Sequence, residues 1–139
     1  VCNFYMGTLV QVTDPRTGRE TLANSIIIKR DAKLPVSVTQ RYYTVHENQT
    51  GIDCSVTQSE GEENNKEFVN VVHNESLSLP PNRPAKQPVD VTYSYDLSGK
   101  IHCLFTDVDS GNKHEIELKP DSTKELDESK KIVEKIVVE

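Results

Sequence analysis

Four histidines, three cysteines and a surplus of carboxylates are the side chains of this sequence that could do chemistry. Histidines and cysteines at short spacing would hold a metal ion. A nucleophile beside a base would attack a carbonyl, and two carboxylates facing each other would serve as acid and base. The spacing supports none of these. His46, His73, His102 and His114 fall on a turn, a loop and two strands, and no two stand at i, i+2 or i, i+4. No glycine-rich loop of the phosphate-cradling kind is present, since the glycine-bearing segments read as hairpin turns. The residues therefore read as a binding protein rather than an enzyme, with no metal site and no cofactor.

Cys2, Cys54 and Cys103 are odd in number and form no C-x-x-C pair, which argues against a disulfide scaffold or a zinc knuckle. Cys54 and Cys103 sit on the apolar side of alternating strands, so the expectation is buried thiols in a reducing, cytoplasmic compartment. Asn48-Gln49-Thr50 and Asn74-Glu75-Ser76 match the glycosylation acceptor pattern but read as turns. A net charge of -6 and a pI near 5.2 argue against a nucleic-acid partner, which would need clustered Lys and Arg. No apolar run is long enough for a membrane-spanning helix, and no signal peptide is evident, so no membrane partner is expected. Beginning at Val1, the chain reads as an excised piece holding a single domain.

The elements that must position any site are strands. Residues 34–58 form the organising hairpin: a Val-, Thr- and Tyr-rich run to Val45, a polar turn ending at Gly51, then Ile52, Cys54 and Val56 alternating with Asp53, Ser55 and Thr57. Before it, residues 2–13 alternate around Gly7, which marks a bulge or a close backbone approach. Asp14-Pro15-Arg16-Thr17-Gly18 turns that strand back into residues 22–29, where Ile26-Ile27-Ile28 breaks the alternation and predicts cover on both faces or a place beneath the long turn. Residues 59–67 are an acidic loop, 68–72 a short strand, and 73–88, with four prolines, a loop wrapping an edge. Residues 89–95 and 100–107 form a hairpin, and 113–119 the last strand. Beyond Pro120, Ser122 and Glu125 have capping-box spacing ahead of a sparse apolar stripe, predicting a short helix. The fold expected is all-β, a two-layer antiparallel β-sandwich of about eight strands over residues 1–119, with a short C-terminal helical segment over 120–139.

In this order the motifs resemble the β-sandwich substrate-binding domain of the seventy-kilodalton heat-shock chaperones of DnaK type. The resemblance rests on Tyr5-Met6-Gly7, on Leu34-Pro35, on Gln40-Arg41-Tyr42-Tyr43-Thr44 and the turn Glu47-Asn48-Gln49-Thr50, and on the strand from Ile52 to Glu60. It continues through Val89-Asp90-Val91-Thr92-Tyr93-Ser94-Tyr95-Asp96, Gly99-Lys100-Ile101-His102-Cys103 and Gly111-Asn112-Lys113, covering residues 3–119.

The resemblance implies a module that grips short, extended, apolar stretches of unfolded polypeptide during protein folding and the stress response. Carried over by position, it implies a pocket lined by Thr8, Tyr42, Ile52, Cys54 and Val89. An arch over the guest would come from Val45 on one side and Gln11 or Val12 on the other. Thr8 and Cys54 replace larger aliphatic residues, and the first hairpin is longer than the family's. ATP binding, in the family, belongs to a separate domain, so this chain is expected to need no ATP of its own, and its partners would include that ATPase domain and co-chaperones. The apolar tail of residues 132–138 could also enter a neighbour's groove, giving self-association. The alternative is the same sandwich with a degenerate groove, serving as a structural or co-chaperone interaction domain.

Overall fold

The computed structural model describes residues 2–119. The predicted C-terminal helix, its capping box and the tail invoked for self-association lie outside them. Eight strands are found among the described residues: β1 (Tyr5–Thr13), β2 (Glu20–Ile28), β3 (Val36–Tyr43), β4 (Gly51–Ser59), β5 (Asn70–Ser78), β6 (Pro88–Tyr95), β7 (Ile101–Asp107) and β8 (Lys113–Leu118). They form two four-stranded antiparallel sheets of order β2-β1-β4-β5 and β3-β6-β7-β8. The expected sandwich is present, but the organising hairpin is not: β3 lies beside β6 in one sheet and β4 between β1 and β5 in the other, because the polar loop between them crosses from layer to layer instead of turning back within one sheet. Strict alternation on β6 and β7 turns Val89, Val91 and Tyr93 and, across the hairpin, Ile101, Cys103 and Phe105 into the core.

The two layers are tied by a polar bond as well as by apolar packing. Tyr93 on β6 is wholly buried, and its hydroxyl donates to the carbonyl of Gly7 at 2.7 Å and lies 3.2 Å from that of Ser55, both in the opposite sheet. Burial pushes the Tyr93 phenol well above its ordinary pKa, which keeps it protonated as a donor.

Gly7 fulfils both of its predicted roles. The β1–β2 register slips there, with Met6 opposite Ile28 and Gly7 opposite Ile26, so Ile27 is the extra residue of a bulge. That bulge explains the lost alternation, because it lets the neighbours Ile27 and Ile28 both bury. A side chain at position 7 would also run into the Ser25 carbonyl.

The structure corrects the sequence reading around β5. Phe68 is not in a strand but closes a one-turn 3-10 helix (Lys66–Phe68), capped by the Asn65 side chain accepting from the Glu67 amide. β5 runs on to Ser78, through the stretch expected to be loop. The prolines begin only at Pro80, so nothing before it forbids ladder pairing, and Asn74 stands in this strand rather than in a turn. His73, Glu75 and Leu77 do alternate, but two titratable members hid the pattern.

Candidate functional site

The β1–β4 pairing holds only for Tyr5 with Ser59, Met6 with Gln58 and Gly7 with Thr57. Past Gly7 the strands diverge: β1 continues against β2 alone and β4 against β5 alone. The Ser55 hydroxyl marks the fork, accepting from the Leu9 amide at 2.9 Å and lying 3.1 Å from the Thr8 hydroxyl. Beyond it, alternate backbone N–H and C=O groups on the inner sides of both strands have no strand partner, which is the condition for accepting an extended guest.

The fork opens a groove of about 820 Å³, within the size of ligand pockets, about 300–1,000 Å³. Thr8, Gln11 and Val12 of β1, Tyr42 of β3, Val45 of the following loop, Ile52 of β4 and Val89 of β6 all line it. Seven of the eight residues assigned to the pocket and arch from sequence therefore meet at one concavity. Cys54 is not among the lining residues: it alternates inward between Ile52 and Val56, is 0% exposed and lies in the core.

Depth divides the lining. Thr8 and Val89 are buried at the floor, whereas Val12, Leu22, Tyr43 and Val45 are large apolar side chains left exposed at the mouth. Four exposed apolar residues thus share the lining of one opening, the arrangement expected of a binding surface rather than of scattered surface hydrophobes. Tyr42 closes the side of the groove: its hydroxyl lies 2.7 Å from that of Ser25, joining the edge strands of the two sheets. Burial pushes the Tyr42 phenol up, only partly offset by that bond.

Arg41 and His46 of the lining each meet an acidic partner. Arg41 forks onto Asp90 at 2.7 and 3.1 Å, and the hydrogen bond holds the Asp90 carboxyl below its ordinary pKa. Across the mouth, His46 Nε2 lies 3.0 Å from Glu20 Oε2. This pair, which sequence reasoning missed, joins the β3–β4 loop to the start of β2. The only signal for it was one polar residue closing the turn before β2 and one opening the loop after β3. The Gln49 side chain braces the same loop by accepting from the amides of Val45 and His46.

The histidines also do not stay apart. His73 and His114 stack at the other end of the sandwich, with Glu75 between them.

The sequence model of the family described as Hsp70 protein matches residues 11–138. Among curated proteins, a chaperone protein HscA homolog of Rickettsia bellii (strain RML369-C) is 29% identical over 132 residues, covering 91% of this chain and 21% of the relative. An HscA homolog of Rickettsia prowazekii (strain Madrid E) is 31% identical over 94 residues, covering 68% of this chain and 16% of the relative. The chain thus spans about a fifth or less of the length of these relatives.

Proposed function

This chain belongs to the Hsp70 family, and we propose that it is the part of such a chaperone that grips substrate, holding short extended apolar segments of unfolded polypeptide. The observation that carries the reading is the fork between β1 and β4, with unpaired backbone on its inner sides and exposed apolar side chains around its mouth. The backbone rows can hold a guest without reading its sequence, each bond contributing about 0.5–1.5 kcal/mol net. One apolar guest side chain seated between Ile52, Tyr42 and Val89 adds roughly 1.5–3 kcal/mol. Moderate affinity and broad selectivity follow, as suits a chaperone. On this reading the ATP chemistry of the parent protein lies in another domain, with which this sandwich and co-chaperones work.

Fluorescence anisotropy of a labelled Leu-centred peptide, beside a control of Lys and Glu only, tests it. The expected result is saturable binding of the Leu peptide alone. Ile52→Phe fills the seat and excludes the guest side chain, which costs at least about tenfold in affinity with the circular dichroism spectrum unchanged. Equal affinity for variant and parent would overturn the pocket assignment. No binding by folded protein would favour a sandwich that serves as an interaction domain.

A further inference from the structure

Apolar side chains fill most of the inward rows of the sandwich, but the edge formed by β5 and β8 departs from this. β5 and β8 are the free edges of their sheets, and His73 on one and His114 on the other bring them together there. The register of β4 with β5 skips Val72, a bulge that sets His73, Glu75 and Leu77 in one row, with Leu77 buried. On β8, His114 shares its row with the buried Ile116 and Leu118. Two imidazoles and a carboxylate thus occupy inward rows where apolar side chains would otherwise seal the edge.

Their arrangement is specific. The imidazole centroids are 5.9 Å apart with 20° between the planes. Glu75 reaches both rings, Oε1 at 3.8 Å from His73 Nε2 and Oε2 at 3.4 Å from His114 Nε2. Both Nε2 atoms are shielded from solvent and lack a hydrogen-bond partner. A shielded ring nitrogen without a partner is unfavourable. A cation bound by all three groups satisfies both nitrogens and the carboxylate together.

The geometry points to a binding site for a divalent first-row transition ion of the zinc type, held by His73 Nε2, His114 Nε2 and the Glu75 carboxylate, clipping β5 to β8. The three ligand atoms lie within 4.8 Å of one another. A tetrahedral ion with bonds of about 2.0–2.1 Å needs ligand separations of roughly 3.3–3.4 Å, so side-chain shifts of about an ångström complete the site. Two imidazoles select zinc-like ions over Mg²⁺ and Ca²⁺, which take oxygen ligands. The Glu75 side chain is 57% exposed, so the fourth position opens to water. Because the site lies at the edge away from Ser25 and Tyr42, its role is to close the sandwich rather than to touch a guest.

Calorimetric titration and thermal melting of the full chain with Zn²⁺ alone at neutral pH, with Mg²⁺ as control, test the site. The expected result is saturable one-to-one binding of Zn²⁺ and a rise in Tm that a chelator reverses, with no response to Mg²⁺. His73→Gln and His114→Gln each weaken binding by at least about tenfold, since even the outer partners of metal ligands are worth that much. His102→Gln, outside the cluster, binds like the parent. Co²⁺ in place of Zn²⁺ gives a visible spectrum of nitrogen and oxygen ligation without thiolate bands. Should either histidine variant fail to fold by circular dichroism, Glu75→Gln, which keeps both rings, shows the same loss. The site is overturned by the absence of saturable binding, by binding that survives these substitutions in folded protein, or by thiolate bands, which would place the ion on the cysteines.

Discussion

Asp107 at the end of β7 is a carboxylate with no solvent exposure, and its neutralisation depends on one residue from a loop. Arg83 Nη1 donates to Oδ1 at 3.2 Å, and Nη2 lies 3.0 Å from Oδ2 at an angle that makes no hydrogen bond. Ser110 Oγ donates to Oδ2 as well. Removing one partner of a buried pair leaves the other charge stranded, at about 3–5 kcal/mol. With the Arg83 side chain 17% exposed, Arg83→Ala is expected at the lower end of that range, read as a fall in the urea midpoint at unchanged slope. Thr8 shows the same economy on a smaller scale. It stands where the resemblance prefers an aliphatic residue, but its hydroxyl is engaged with Ser55, so it adds little free polarity to the groove floor.

Among the elements, the loop after β3 and the hairpin of β1 and β2 meet through His46 and Glu20, whose side chains are 55% and 38% exposed. An exposed pair of this kind is worth about 0.2–1 kcal/mol, so it tunes the mouth of the groove rather than sealing it. Glu20→Gln is expected to speed release of a bound peptide by no more than about fivefold, measured by stopped-flow displacement, and a larger effect would mark the pair as a true latch. Elements with one wet face and short turns were readable in the sequence. β6 and β7 alternate residue by residue, and the turn between them is held by Asp96 accepting from the Ser98 and Lys100 amides. β5 was not readable past Val72, because a bulge shifts its parity and its inward row carries His73 and Glu75. The groove lining was legible through family likeness at Ile52, Val45 and Val89. The His46–Glu20 and His73–His114 pairs were not, because each joins residues distant in sequence by the stacking of one sheet on the other.

Across the whole molecule, the three thiols report on one event. Cys2, Cys54 and Cys103 are free, each 0% exposed, and belong to a single core cluster. A thiol reagent should label none of them in the folded protein and all three after unfolding without reductant; labelling of the native state would show that the sheets part locally. Burial pushes the Cys54 and Cys103 thiols up to about 12. A raised folded pKa means stability is intact below the unfolded thiol value of about 8.5. Stability should then fall as the pH rises from there towards about 12, which urea melts along an alkaline series would follow. The parting of β1 from β4 after Gly7 also makes the sheet a ruler. From Thr8 to Val12, the five β1 residues that line the groove measure roughly 17 Å at about 3.4 Å per residue. On the proposed reading, a guest lying along them would be gripped over about five residues, however long it is. Moving the fork by one residue pair would change that footprint by a whole residue, so under the proposed function the position of a single glycine would set how much of an unfolded chain is held at once.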